Sequence, residues 1–453
     1  MGDGRNRTVS HSKVWSRRTS RVAAICVVAA FFAGCTSNGQ SPVVTVTSNV
    51  VVNGSASSAP ASTKPGAATS SSSTSPTTRK PSKASSSTTK PAATTSPGSG
   101  PGDGPVQPDG FVPRKLKAGE KAPQFVVVSF DGAGWHEKWQ YWFGIMQKVP
   151  FHFTGFLSGT YMLSKDTKTK YKGPGHDPGK SSISWNDPAE LPVEIADLNK
   201  SLALGNEVGS HFNGHFCGNN RPGGFDWKTN NWNDELDQFF SLIANVDTNN
   251  GITAKLNLPP GEIKGERTPC LEGYSADLFP ALQAHNMTYD SSFTKRGIKW
   301  PTQASNSKIW QMGMAEFPIH GTLPAGSPVH ADQRTNHVQI TMDYNFYYSQ
   351  RGASSDGVTP ADSAADSDQV LKTYQDMYNA TFAGNRAPLI LGNHFNAWNN
   401  NAYSDAIGNF VLQTCGKPDT YCVPFRDLLA WQAVQDPARI TQLQNQAAEV
   451  SAP

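Results

Sequence analysis

The sequence predicts an α/β fold built on a largely parallel sheet, and three observations carry that prediction. The run Gln124–Asp131, QFVVVSFD, is apolar without alternation, as a strand buried on both faces requires. Further short strand-like runs recur along the chain with helical patterns between them. Several of these runs end in Asp, His or Arg, and barrel enzymes place their chemistry at the carboxyl ends of successive strands.

Taken in order, strands are expected at HFTGFLSGTYML (152–163), NEVGSHF (206–212), GERTP (265–269), MTYDSSF (287–293), IWQMGMAEFPIH (309–320), VQITMDY (338–344) and PLILGNHF (388–395). Helices are expected at NDPAELPVEIADLNKSLA, where Asp187 and Glu190 have capping-box spacing and Gly205 would stop the helix. Others are expected at DELDQFFSLIANV, SADLFPALQAHN, DQVLKTYQDMYNATFAG and PFRDLLAWQAV. Strand–helix alternation of this kind packs helices over a parallel sheet. No internal repeat is present.

Much of the first quarter cannot fold. From Thr36 to Ala118 the chain runs through Ser, Thr, Pro, Ala, Gly and Lys with few large apolar residues, too little to offset the entropy of ordering. Residues 36–118 therefore read as a disordered linker, and residues 119–453 as one folded domain. The net charge of +3 conceals a division between the two. Up to Ala118 there are 14 basic and 3 acidic residues; 25 and 33 remain, so the folded part carries −8. That balance argues against nucleic acid as a partner.

The N-terminus reads as an export signal, with Arg17, Arg18 and Arg21 ahead of the apolar run Val22–Cys35. The run is short for a membrane span. Phe32, Ala33, Gly34 and Cys35 resemble a bacterial lipobox, although Leu is usual at its first position; lipidation of Cys35 would end a signal of residues 1–35. The expectation is an exported lipoprotein, held on the cell membrane by its lipid and facing the envelope or periplasm. Four cysteines then remain, Cys217, Cys270, Cys415 and Cys422, an even number that suggests two disulfides in an exported domain. Cys415 and Cys422 enclose a short loop and are expected to pair, which leaves Cys217 to pair with Cys270.

His211 and His215 stand four residues apart in GSHFNGHFCG, an interval that lets both imidazoles face one ion if the backbone turns helically. Asp131 closes VVVSFD, Arg267 opens RTPC, and His394 follows LILGN, each an ionisable side chain where an apolar strand stops. Buried charges are costly unless paired or functional. An Asp131–Arg267 ion pair and a satisfied core His394 are the structural readings of the same residues.

In order, these motifs resemble the polysaccharide deacetylase family of carbohydrate esterases, from Phe125 to about Trp431. NEVGSHFNGH matches the histidine motif and ERTPC the arginine motif; TYDSSF and VPFRDLLAW are similar to the chitin-deacetylase-like branch. The resemblance implies a distorted (β/α) barrel of about seven strands and removal of acetyl groups from N-acetylglucosamine polymers. It implies a divalent metal, zinc in many members, held in part by His211 and His215. It also makes Asp131 the base, Arg267 the residue that orients it, and His394 the acid.

The chain departs from the family at one point. The family has a second, metal-binding aspartate where this sequence has Gly132. Three readings follow. His136, Asp226 or Asp290, or Asp131 itself, completes the site of an active hydrolase; or the groove binds glycan without turnover; or the domain is a structural envelope lipoprotein. A glycan groove calls for aromatic platforms, and Trp135 and Trp398 are the substrate-binding candidates, with Trp139, Trp227 and Trp232 also near the motifs. The linker's reach makes cell-wall polysaccharide or peptidoglycan the natural partner.

Overall fold

The structure, a computed structural model, describes residues 102–446. The expected signal, Cys35 and most of the expected linker lie outside the described residues.

Twelve strands are formed among the described residues: β1 (Gln124–Gly132), β2 (Thr154–Leu157), β3 (Glu207–Ser210), β4 (Gly265–Glu266), β5 (Tyr289–Asp290), β6 (Thr294–Arg296), β7 (Thr302–Gln303), β8 (Trp310–Gln311), β9 (Met314–Pro318), β10 (Val338–Ile340), β11 (Leu389–His394) and β12 (Thr420–Cys422). The main sheet runs β11-β1-β2-β3-β4-β5-β8-β7, with β12 also on β1, and it is parallel except between β7 and β8. It curls into a half-barrel, the α/β architecture expected. A second sheet, β10-β9-β6, lies beside it. Its Met314 packs against Gly392 of β11, where an added Cβ would lie 2.4 Å from the Met314 sulfur and 3.2 Å from Arg267 Nη1. Gly392 is thus required by close approach rather than by its backbone angles.

Every strand expected from the sequence has a counterpart, with β1 fully buried up to its last residue. Helix ends moved more. The second helix runs Leu191–Ala203 with Glu190 at its N-cap, so Asp187 stands too early to cap it and its carboxylate pairs with Lys165 instead. Gly205, at φ 91°, does end it. Five helices among the described residues went unexpected: His136–Met146, Val246–Asn250, Asp343–Arg351, Trp398–Thr414 and Pro437–Gln444. Of these, Trp398–Thr414 opens with Asn399, Asn400 and Asn401 all left-handed.

Part of the segment that the sequence reads as linker, from 102 to 118, lies within the described residues and touches the domain. Phe111 packs edge-on against Tyr421 and Phe125, at 5.3 and 6.2 Å between ring centroids. Leu116 N–H donates to Gln435 Oε1 at 2.9 Å, and Gln435 Nε2 donates to the Arg114 carbonyl at 2.9 Å. Phe111 and Leu116 pack against the core, large apolar side chains of a kind scarce in the Ser/Thr/Pro-rich sequence before them. Both expected disulfides are present, Cys217–Cys270 and Cys415–Cys422.

Candidate active site

Parallel pairing of β1 with β11 sets Asp131 directly opposite His394 at the carboxyl ends of the strands. Arg267 follows β4, and its side chain crosses the barrel interior with no exposure at all. Its Nη1 donates to Asp131 Oδ1 at 2.7 Å, Nη2 donates to the hydroxyls of Ser129 (2.8 Å) and Ser291 (2.9 Å), and Nε donates to the Ser291 carbonyl (3.1 Å). The guanidinium lies 4.7 Å from the Phe156 ring centroid. Burial alone would raise the Asp131 pKa, but Arg267, with help from His211 and His394, more than offsets it and holds the carboxyl below its ordinary value. Oδ1 is engaged by Arg267, while Oδ2 lies 4.0 Å from His394 Nε2, beyond hydrogen-bond reach.

Asp343, at the start of the helix Asp343–Arg351, orients His394. Its Oδ1 accepts from His394 Nδ1 at 2.7 Å, and its Oδ2 accepts from the His394 backbone N–H and from Asn396 Nδ2, both at 2.7 Å. A carboxylate only accepts, so the Nδ1 proton is fixed and Nε2 turns to the cleft. Burial would lower the His394 pKa; Asp343 chiefly, then Asp131, raise it above the ordinary value. Asp343 was not singled out in the sequence, although VQITMDY contains it. The signal was an Asp at the end of a strand run, the same signal that marked Asp131.

The two histidines occupy a looped turn after β3, not a helix, with Phe212 and His215 left-handed at φ 54° and 53°. The turn is held from behind. Glu235 accepts from the Asn213 N–H and from the Tyr171 hydroxyl, which in turn accepts from the Gly214 N–H. His211 Nδ1 donates to the Arg267 carbonyl at 2.7 Å, leaving Nε2 as a lone-pair donor. Burial lowers both imidazole pKa values, that of His215 to about 3, so both rings are neutral, the ligand form.

The two ring centroids are 5.2 Å apart, and two imidazoles on one tetrahedral ion, with bonds of about 2.0–2.1 Å, stand roughly 5 Å apart. The pair therefore fits one divalent ion, but the set falls a donor short of the three protein ligands usual in catalytic zinc sites. Among the described residues, the one group of three His, Cys, Asp or Glu donors within 4.8 Å of one another is His215, Cys217 and Cys270, whose sulfurs are bonded to each other. The substitutes considered from the sequence are engaged elsewhere. His136 pairs with Asp197 at 2.6 Å, Asp226 accepts from Arg221 and from the Gly223 N–H, and Asp290 is buried accepting from the Ser292 N–H. Gly132 itself sits at φ 87°, a left-handed conformation that an aspartate adopts only with strain.

Of the five tryptophans near the motifs, Trp139, Trp227 and Trp232 are core residues. Trp398 is half-buried, 5.2 Å from the His394 ring, stacked on Tyr347 at 5.4 Å and edge-on to Tyr344. Trp135 is half-buried with Lys138 Nζ over its ring at 5.5 Å.

No protein-family model matches the sequence, and no curated protein does. Among solved structures, the chain is similar to a Mycobacterium smegmatis protein assigned to the polysaccharide deacetylases, at 12% identity over 76% of this chain and 99% of that one, with a TM-score of 0.42. It is also similar to a family 4 acetyl xylan esterase from Clostridium thermocellum in complex with cobalt (11% identity, 70% and 96% covered, TM-score 0.34). A Bacillus anthracis pseudoenzyme of carbohydrate esterase family 4 gives 10% identity, 71% and 70% covered, and a TM-score of 0.33. The first is of the family that the sequence motifs resemble. At these identities the chemistry rests on this chain's own residues.

Proposed function

We propose that the chain is a polysaccharide deacetylase-like hydrolase, anchored in the envelope through Cys35, that removes acetyl groups from N-acetylated cell-wall glycan. The observation that carries this reading is the facing pair of partnered groups, Asp131 on Arg267 and His394 on Asp343. Desolvating such charges costs several kcal/mol per ion, and apolar residues of similar size would hold a barrel core at least as well. Acid–base chemistry accounts for keeping them.

Asp131, ionised under Arg267, takes a proton on Oδ2 from the water that attacks the acetyl carbonyl. His394, protonated above the usual imidazole range, delivers a proton from Nε2 to the departing amine nitrogen as the C–N bond breaks. A divalent ion held by His211 and His215, zinc by the family resemblance, would acidify that water and polarise the carbonyl. Trp398, beside His394, offers an apolar face to a sugar ring.

A second reading, glycan binding without turnover, is favoured by the missing third donor. Acetate release from N-acetylated chitooligosaccharide and peptidoglycan, by the full chain with added zinc or cobalt, separates the two. The hydrolase reading expects release that His394→Ala slows by about 10²-fold or more; binding of the same glycans with no acetate released would establish the second reading instead. Anchoring is checked separately, since Cys35→Ala should move the chain from the membrane to the soluble fraction.

A further inference from the structure

We propose that reducing the Cys217–Cys270 disulfide creates a second metal site, in which the two thiolates and His215 hold one zinc ion with a fourth position open. Three features of the loops after β3 and β4 lead there. First, His215 Nδ1 lies 3.7 Å from Cys217 Sγ, and all three donor atoms lie within 4.8 Å of one another. Donors on a tetrahedral zinc, with bonds of about 2.3 Å to sulfur and 2.0–2.1 Å to nitrogen, are separated by roughly 3.5–3.8 Å. The imidazole is thus already at donor spacing from one sulfur, and only the sulfur–sulfur bond keeps the two sulfurs from parting to reach an ion.

Second, the backbone is held where the site needs it without that bond. The two Cα atoms are 6.0 Å apart, within reach of one ion by side-chain rotation. Gly218 N–H donates to Glu272 Oε1 at 3.0 Å, and the Phe225 and Tyr274 rings are in contact at 5.4 Å, so two further ties join the loops on either side of the disulfide. Third, Cys270 is exposed while Cys217 is buried, which gives a reductant one sulfur to attack.

The chemistry balances with a dithiol as reductant. Its two S–H groups supply two electrons and two protons; it leaves as a disulfide, and Cys217 and Cys270 become thiols. Zinc then displaces both thiol protons to solvent. Two thiolates and one imidazole make the three-protein-ligand set that His211 and His215 do not reach. The site shares His215 with the ion of the proposed hydrolase, but the inference itself needs only the fold and the three donors.

Cobalt titration of the full chain tests it, because thiolate ligation gives near-ultraviolet charge-transfer bands that imidazole and carboxylate ligands do not. The oxidised chain should show none of these bands. After reduction with a phosphine, the bands should grow to one equivalent, vanish in Cys217→Ser and in Cys270→Ser, weaken at least tenfold in cobalt affinity in His215→Ala, and persist in the Cys415→Ser, Cys422→Ser double variant. Bands that survive Cys217→Ser, or that ignore His215→Ala, would place the metal on other thiols and overturn the proposal. So would a reduced chain that has lost its near-ultraviolet circular dichroism, since the site requires the folded loops.

Discussion

On one wall of the site Asp131 and His394 each have a buried partner at 2.7 Å, Arg267 and Asp343; on the other, His211 and His215 present two neutral imidazoles and, among the described residues, no third donor. The first wall is over-determined: Arg267 alone makes four hydrogen bonds there. The second is well supported from behind, by Glu235 and Tyr171, yet open in front. The difference teaches where a fold of this kind can lose a ligand. A backbone that turns left-handed at Gly132 removes one donor without disturbing the charges a residue away.

The largest expected effect is on the first wall. His394→Ala should lower the rate of acetate release about 10²–10⁴-fold, the usual value of a general acid, with glycan affinity retained. A smaller loss would mean that His394 is a packing residue and that the walls do not divide the work as described. Arg267→Ala leaves Asp131 buried without its partner and should cost about 3–5 kcal/mol in stability, read by denaturant unfolding at neutral pH. The sign follows from the depressed Asp131 pKa. Its contribution to stability is present above the unfolded carboxylate value and is lost as pH falls through the lower folded value, so the variant's deficit should shrink in acid.

The pH profile sharpens the same wall. Activity needs Asp131 ionised and His394 protonated, so the acid limb should lie below the ordinary carboxylate range and the alkaline limb above the ordinary imidazole value. Asp343→Asn removes the main group that raises His394, and its alkaline limb should move to lower pH; an unmoved limb would assign it to another group.

The second wall is probed by restoring what it lacks. At Gly132 an added Cβ would meet nothing nearer than Tyr161 Oη at 3.8 Å, so Gly132→Asp fits sterically and bears only the left-handed backbone, about 1 kcal/mol. Zinc should survive dialysis in this variant and be lost from the unaltered chain, with His211→Ala, His215→Ala as the blank. Equal retention in both chains would show that two imidazoles suffice. The smallest effect concerns the aromatic edge. Trp398→Ala should raise KM about tenfold, or 1.4 kcal/mol, with kcat little changed. Trp139→Ala should instead cost about 3–5 kcal/mol in stability, since that side chain is wholly buried.

What the sequence by itself determined is local and ordered. The apolar run through Phe130 makes β1 a central strand, each later strand run is found as a strand, and Asp131, His211, Arg267 and His394 all stand at or just after strand ends. The short loop between Cys415 and Cys422 made their pairing legible and left Cys217 for Cys270, as found. Tertiary structure decided the rest, because it depends on contacts across the sheet that no spacing along the chain encodes. The register that sets Asp131 opposite His394, the choice of Asp343 as its partner, and the division of the tryptophans between core and cleft all arise from packing. So do the partners that His136, Asp226 and Asp290 take, none of which joins the histidines in a three-donor group among the described residues. A Gly after Asp131 was legible as a lost ligand; that the backbone there is left-handed was not, because only the folded chain fixes φ.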